Sequence, residues 1–177
     1  MTKKIRSELT ALIQNIYEPA SLKITSPVQH ETESTEYGAC RFGLNGFNIA
    51  FRIAKITPKK LGQFVTLWKR ATPSSPIIPL DLSDGIDFVI ICVIDGENHG
   101  QFIFSSKVLV KQNIISHHGK GGKLAFRIYP AWVKPEAKAA LKTQQWQLQH
   151  FFLTSQKTLI DLQKIFNREL PYESSTE

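Results

Sequence analysis

An unbroken run of seven apolar residues at positions 88–94 constrains the fold of this chain more than any other feature. The run is rich in β-branched side chains, and the turn-forming segment 95–100 follows it. Such a run is typical of a β-strand that is covered on both faces, because a strand with one solvated face alternates apolar and polar residues. It is far shorter than the ~20 apolar residues of a membrane-spanning helix. We therefore expect a sheet with a layer on each side and no insertion into a membrane.

Asn45 and Gly46 indicate a β-hairpin. They separate two strand-like segments, residues 37–44 and 47–55. Both residues tolerate the positive φ angles that a type I′ turn requires. Apolar residues in the second segment alternate with polar or small ones, so we expect one apolar face and an opposite face that carries Arg52.

The spacing of apolar side chains predicts helices on either side of this hairpin. Apolar residues recur at intervals of three and four over positions 3–17, which is typical of a helix with one buried face. Thr57 is a suitable N-cap and Pro58 a suitable first helical residue, so a second helix is expected over 58–70. The polar segment 20–36 is interpreted as an irregular connection. The rest of the chain is predicted to contain strands at 101–104 and 124–129, strand-like alternation at 106–114, and helices at 135–152 and 154–168.

This order of elements predicts the fold class. The order is a helix, strands, a helix, further strands and terminal helices. This order is typical of an α/β protein with a central mixed sheet flanked by helices. The 177 residues fit one domain of ordinary size, so residues 1–177 are treated as a single domain. Cys40 and Cys92 lie in apolar segments and are expected to be buried thiols, in a cytoplasmic protein.

The net charge favours a polyanionic partner. Lys and Arg number 22 against 15 for Asp and Glu, which gives a formal charge of +7. An excess of this size is common in proteins that bind nucleic acid or phosphorylated anions, although many basic proteins bind neither.

Four basic residues are concentrated between positions 52 and 60: Arg52, Lys55, Lys59 and Lys60. If a helix begins at Pro58, the last two lie in its first turn. Unpaired N–H groups and the positive end of the helix dipole would then add to the lysines and form an anion-binding corner. The alternative is a solvated basic surface.

A second cluster combines basic and aromatic residues. Phe126 and Ile128 are expected to point into the core, which places Arg127 and Tyr129 on the opposite face, where Trp132 can join them. Such groups can hold phosphates and stack on bases. An ordinary sheet surface is the alternative.

Acidic residues provide the candidates for metal chemistry. Metal-dependent cleavage of a phosphodiester needs carboxylates that converge on Mg²⁺, and Glu36, Asp84 and Asp87 could supply them near Lys55. The three aspartates at 81, 84 and 87 are also explained by capping and turn formation. Without cleavage, no cofactor is expected.

Three segments resemble the bacterial MepB family: FRIAKITPKKLGQFVTLWKR at 51–70, FRIYPAW at 126–132 and QQWQ at 144–147. The resemblance implies a restriction-endonuclease-like core of a helix, three antiparallel strands, a crossover helix and a further strand. In such nucleases the third core strand ends in an acidic residue, one spacer and a lysine. Lys55 matches the lysine of that pattern, and Gln63 matches a glutamine that such nucleases often carry in the following helix. The position of the acidic residue is occupied by Ile53, so the metal-binding carboxylate is missing from the pattern.

The function expected from these patterns is binding of nucleic acid or another phosphate-bearing polyanion without cleavage. The expected binding residues are Arg52, Lys55, Lys59, Lys60, Gln63, Arg127, Tyr129 and Trp132. Two alternatives stay open: a metal-dependent nuclease whose carboxylate comes from Glu36, Asp84 or Asp87, and a module that binds a protein or a small anion.

Overall fold

A six-stranded sheet forms the centre of the molecule. The computed structural model describes residues 2–167, with side chains from residue 7 onward except that of Gln156. Its elements are α1 Thr2–Leu12, β1 Ile24–His30, β2 Cys40–Leu44, β3 Phe47–Ile53, β4 Lys55–Thr57, β5 Lys60–Thr66, β6 Trp68–Lys69, β7 Ile78–Pro79, β8 Phe88–Asp95, β9 Asn98–Ser105, α2 Ser106–Lys111, β10 Ala125–Ile128, α3 Lys138–Gln147, β11 Phe151–Leu153 and α4 Leu159–Phe166. A π-helical turn, Ile13–Tyr17, extends α1.

The strand order of the central sheet is β1-β2-β3-β8-β9-β11. Neighbours are antiparallel except β3 and β8, which run parallel, so the sheet is mixed. Residues 89–93 of β8 are buried, as the apolar run predicts. The mixed α/β architecture is therefore confirmed. None of the helices within residues 2–167 is long and apolar enough to span a membrane.

The hairpin between β2 and β3 is confirmed. Its turn residues have φ angles of 50° at Asn45 and 80° at Gly46, the positive values that a type I′ turn requires. The register that follows pairs Leu44 with Phe47 and Cys40 with Phe51.

Different layers cover the two faces of the central sheet. Helices α1 and α4 pack on one face through a cluster that includes Leu12, Phe51, Ile90, Leu162 and Phe166. The other face is covered by α2 and by a second sheet, of order β10-β5-β4. Its inward side chains, among them Val65, Phe126 and Ile128, are buried in the second core cluster.

The prediction of a helix over 58–70 is wrong. Residues 55–66 form a β-hairpin in which Lys55 pairs with Phe64 and Ile56 with Gln63. Beyond the turn the burial alternates residue by residue, from Gln63 to Leu67, as in a strand with one covered face. Pairing of β5 with β10 stabilises this conformation. Within residues 54–87, all of which the structure describes, there is no α-helix, so a hairpin replaces the expected crossover helix.

Three further predictions need correction. The segment predicted as irregular, 20–36, contains β1, an edge strand that is mostly exposed. The segment 106–114 begins with helix α2, because the Ser105 hydroxyl caps it by accepting a bond from the Val108 N–H. The expected helix 135–152 is shorter and is followed by β11. The helix expected at 154–168 corresponds to α4, and its predicted last residue lies outside the described residues.

Candidate functional site

Two basic side chains flank a phenylalanine on the outer face of the second sheet. Lys55 of β4 is opposite Phe64 of β5, and Phe64 is opposite Arg127 of β10. Residues that face each other across paired strands project from the same side of a sheet. All three side chains are partly exposed. The register therefore places a cation on each side of one aromatic ring.

A second ring extends this arrangement. The Arg127 guanidinium carbon lies 5.7 Å from the centre of the Phe64 ring, and the Tyr37 ring lies 6.4 Å from the same ring at an angle of 59°. The Lys55 ammonium lies over Tyr37, at 4.7 Å from the ring centre. The two distances from a cation to a ring, 5.7 Å and 4.7 Å, are in the range of cation–π contacts. We call the series Arg127, Phe64, Tyr37 and Lys55 the basic–aromatic row.

Tyr129 adjoins the row because Gly62 has no side chain. A Cβ at Gly62 would lie 2.7 Å from Cδ1 of the Tyr129 ring and 2.7 Å from the Ile128 carbonyl oxygen. The φ angle of Gly62 is +77°, which also favours glycine. The Tyr129 ring therefore packs directly against the backbone of β5.

Arg127 holds the β4–β5 hairpin together. Its Nη1 donates to the carbonyls of Lys60, Leu61 and Gly62 at 3.3–3.4 Å, and its Nη2 donates to Oγ1 of Thr57 at 2.6 Å. The guanidinium is thus fixed above Phe64, and the hairpin turn is fixed relative to β10.

Lys59 and Lys60 are exposed at the turn of this hairpin. They do not lie in the first turn of a helix, so the predicted corner with a helix dipole is wrong. Both line a surface groove of about 350 Å³ at the hairpin tip, together with Ile56, Leu61 and Val133. We call it the tip groove.

Arg52 lies in the interior and cannot contact a polyanion at the surface. It is fully buried, donates from Nη1 to the Phe51 carbonyl and binds Oε2 of Glu31 at 2.6 Å through Nη2. Burial lowers the pKa of Arg52, and the negative charge of Glu31 opposes that shift. Glu31 also binds Nε of Arg41 at 2.8 Å. The prediction that Arg52 lies in the binding site is wrong, because its partner Glu31, which is distant in the sequence, holds it in the interior.

Gln63 and Trp132 also lie away from the row. Gln63 is buried and donates from Nε2 to the Ile94 carbonyl at 3.1 Å, which ties β5 to β8. The Trp132 ring packs edge-on against Phe151 with their centres 5.6 Å apart, beside the second core cluster.

The acidic candidates do not converge on Lys55. Asp84 accepts a bond from the Asp81 N–H and pairs with Lys69, and Asp87 accepts from the Asn48 N–H at 2.7 Å. Asn48 is near the start of β3 and Lys55 follows its end, seven positions later, so roughly 23 Å of extended chain separates them.

Glu36 lies closer to the row, because it precedes Tyr37 in the chain. Burial raises the pKa of Tyr37, and the charge of Glu36 adds to that shift. In the part of the chain that the structure describes, no three His, Cys, Asp or Glu side chains form a group that could hold a metal ion.

Asp81 has the capping role that the sequence analysis considered for these aspartates. Its carboxylate accepts bonds from the N–H of Ser83, the N–H of Gly119 and the hydroxyl of Ser116. These bonds, led by the one from Ser83, lower its pKa well below the usual range. Asp81 thus joins its own turn to the glycine-rich loop at 117–122.

Both cysteines are buried free thiols, as predicted. Burial raises the pKa of Cys40 and that of Cys92 to about 12. Neither thiol is therefore a reactive thiolate at neutral pH.

The fold and the row define a mixed α/β protein with a second, three-stranded sheet that carries basic and aromatic side chains on its outer face. The family model of MepB-like proteins matches residues 31–153, more than half of the chain. The chain therefore belongs to the MepB-like family, as the resemblance implied. The matched region contains every residue of the row.

A solved structure described as "Crystal Structure of MepB" is similar over most of its length. It is 32% identical, with a TM-score of 0.72, and the match covers 84% of this chain and 97% of that chain. A search of curated proteins found no match. The comparisons support the family and the fold, and they assign no activity.

Proposed function

We propose that this protein binds nucleic acid through the basic–aromatic row without cleaving it. The observation that carries the proposal is the register that places Lys55 and Arg127 on either side of Phe64. Surfaces that bind nucleic acid combine cations, which attract phosphates, with aromatic rings, which stack on bases. The row supplies both, because Lys55, Phe64 and Arg127 are partly exposed, whereas Tyr37 is buried.

The electrostatics support a polyanion over a neutral ligand. The chain carries a formal charge of +7, and the lysines at 59 and 60 extend the positive surface from the row to the hairpin tip. Release of counterions from a bound polyanion would add to the affinity and make it sensitive to salt.

Binding without cleavage follows from the positions of the carboxylates. Ile53 stands in the position where the nucleases that the sequence resembles carry an acid. Asp84 binds the Asp81 N–H and Lys69, and Asp87 binds the N–H of Asn48 near the start of β3. A two-carboxylate metal site beside Lys55 therefore has no support among the described residues. We also propose a cytoplasmic location, since two free thiols suit a reducing compartment.

Fluorescence anisotropy with labelled single- and double-stranded DNA and RNA tests the proposal. We expect Lys55→Glu to weaken binding at least about tenfold and to reduce the salt dependence by about one phosphate contact. Lys164→Glu is the matched control, because it makes the same charge change on α4, across the central sheet from the row, where the lysine is exposed.

Equal effects of the two substitutions would contradict the proposal, since the binding would then depend only on net charge. The same reactions with Mg²⁺ and Mn²⁺ are run on a gel. Cleaved product that requires Glu36 would replace non-cleaving binding with the nuclease alternative.

A further inference from the structure

Strand β10 lies at one end of the second sheet, so only one of its two edges pairs with another strand. In an antiparallel pair the N–H and C=O of one residue point to the same edge, and successive residues point to opposite edges. The Leu67 N–H donates to the Leu124 carbonyl, so the even-numbered residues of this segment face β5. The odd-numbered residues from 125 to 129 therefore face the other edge, which we call the outer edge of β10.

Other parts of the protein cover the two ends of the outer edge. At one end the Lys123 N–H donates to the Ile114 carbonyl at 2.9 Å. At the other end the Gln147 amide takes the place of a paired strand: its Nε2 donates to the Arg127 carbonyl and its Oε1 accepts from the Tyr129 N–H, both at 2.9 Å. Gln147 is fully buried, so its amide is fixed in this position.

The backbone between these two ends is unpaired. The N–H and C=O of Ala125 and the N–H of Arg127 face the outer edge, and none of the three bonds to a residue that the structure describes. Both residues are partly exposed and line a groove of about 360 Å³, which we call the edge groove. Unpaired backbone groups along the edge of a sheet are a template for pairing with another chain.

The two sides of the edge groove differ in chemistry. Trp146 and Ile114 line it on the side of the core, where Ile114 belongs to the second core cluster and Trp146 packs against that cluster. Lys123 and Arg127 line it as well, and its lining includes no acidic residue. The groove therefore complements a ligand that is apolar on one side and negatively charged on the other.

We infer that the edge groove binds a short extended peptide segment, which adds to β10 as a fourth strand of the second sheet. The segment pairs antiparallel with β10, which is the more stable arrangement per residue. The peptide residue opposite Ala125 donates its N–H to the Ala125 carbonyl and accepts the Ala125 N–H on its own carbonyl. The carbonyl two residues earlier in the peptide accepts the N–H of Arg127. This inference goes beyond the proposed function, because the partner is a peptide.

The position of each peptide residue determines which side chain it carries. The residue opposite Ala125 has its side chain on the outer face of the sheet, where the small Ala125 side chain leaves space for it. Lys123 and Arg127 lie two residues away on either side, within reach of a long acidic side chain. The residues before and after it point inward to Trp146 and Ile114. The segment is therefore an acidic residue between two apolar residues, and β-branched ones favour the extended conformation.

A nucleotide is the strongest competing ligand, because a base can also bond to backbone groups and its phosphate to Lys123. Two observations favour the peptide. The groups that already cover the ends of the outer edge are a backbone carbonyl and a side-chain amide, which are the groups of a peptide. The N–H groups of Ala125 and Arg127 are two positions apart, roughly 6.6 Å along the strand, which exceeds the hydrogen-bonding edge of one base.

Isothermal titration calorimetry with the acetylated and amidated peptide TVEVT tests the pairing. Wild type is expected to bind it saturably. Methylation of the glutamate nitrogen removes the donor to the Ala125 carbonyl and directs a methyl group at β10, so we expect binding at least about tenfold weaker. Methylation of the second valine nitrogen is the matched control. That nitrogen points away from β10 in the inferred pairing, so the affinity should not change.

Reversal of charge tests the side-chain pattern. Wild type is expected to bind TVEVT at least about threefold more tightly than TVKVT, as for an ion pair at the surface. Lys123→Glu should reverse this order. Lys164→Glu makes the same change of charge on α4, across the central sheet, and is expected to keep the wild-type order.

NMR spectroscopy of ¹⁵N-labelled wild type locates the bound peptide without any substitution in the protein. Addition of TVEVT is expected to slow the hydrogen exchange of the Ala125 and Arg127 amides. The Phe126 amide faces β5 and serves as the internal control, because its exchange should change less.

Three results would each overturn the inference: no saturable binding of TVEVT at millimolar concentration, an equal or larger loss when the valine is methylated, or protection that is absent at Ala125 and Arg127. Adenosine monophosphate is titrated in parallel. If it protects these two amides and TVEVT does not, the groove is a nucleotide site and the inference is wrong.

Discussion

The ammonium of Lys55 lies 4.7 Å above the centre of the Tyr37 ring, although the two residues belong to different parts of the fold. Tyr37 ends a short 3₁₀ helix before β2, whereas Lys55 begins β4. Their contact joins the segment before β2 to the second sheet at the edge of the basic–aromatic row. The position of Lys55 therefore depends on the tertiary fold and not on the local sequence alone.

Replacing Gly62 by alanine is expected to displace Tyr129 and destabilise the protein. An alanine Cβ there would lie 2.7 Å from both the Tyr129 ring and the Ile128 carbonyl oxygen, at a φ angle of +77°. We expect a loss of about 2–4 kcal/mol in the free energy of unfolding, from the backbone strain and the clash together. Urea denaturation measures this loss.

Gly85 provides the control for that substitution. Its φ angle is +69°, but no atom lies within 4 Å of the Cβ that alanine would add. Gly85→Ala should therefore cost only the backbone strain, about 1–2 kcal/mol. Equal losses at the two positions would show that the contact with Tyr129 contributes nothing.

Glu31 is expected to stabilise the fold mainly through Arg52. Glu31→Gln would leave the fully buried guanidinium without its counterion, and removal of one partner from a buried ion pair costs about 3–5 kcal/mol. Arg41 binds the same carboxylate but is more than one third exposed, so Arg41→Met should cost less than about 1 kcal/mol. Thermal and urea denaturation of both variants measures the difference. Similar losses would contradict the account of Arg52 as the buried member of this group.

The two buried thiols make stability fall at alkaline pH. The pKa of Cys40 and that of Cys92 are raised from 9.0 to about 12 in the folded protein. Above pH ~9 the unfolded chain releases these protons while the folded chain keeps them, so the unfolded state is favoured as pH rises. The contribution of each thiol is complete below pH ~9 and is lost between about 9 and 12.

Urea denaturation at several pH values in that window tests the sign. The free energy of unfolding should decrease with pH, and Cys92→Ala should make the decrease shallower, whatever its effect at neutral pH. An unchanged slope in this variant would show that Cys92 ionises as readily in the folded protein as in the unfolded chain.

The local elements of the fold could be predicted from the sequence. The apolar run of β8 and the Asn45–Gly46 turn are decided by neighbouring residues, and both are as expected. The segment 58–70 could not be predicted in this way. The spacing of Leu61 and Phe64 fits a helix, but the segment pairs as a strand with β10, about 60 residues later in the chain.

The candidate site was predictable to a similar extent. Lys55, Arg127 and Tyr129 were expected from their charge or ring and lie at the same sheet face. Arg52 was placed wrongly because its burial depends on Glu31, which is 21 residues earlier. Phe64 was not expected to be in the site. Burial alternates over 63–67 in the structure, but the sequence there (QFVTL) does not alternate between apolar and polar residues, so it carries no clear signal for a strand.

Photo-crosslinking shows where on the protein a nucleic acid binds. A single-stranded oligonucleotide that carries 4-thiothymidine is bound to wild type, irradiated and digested, and the linked peptides are identified by mass spectrometry. Binding at the row predicts crosslinks in the peptides that contain the partly exposed Phe64 and Tyr129, and these crosslinks should disappear when Lys55→Glu replaces wild type. Crosslinks confined to the α1 and α4 side of the central sheet would contradict it.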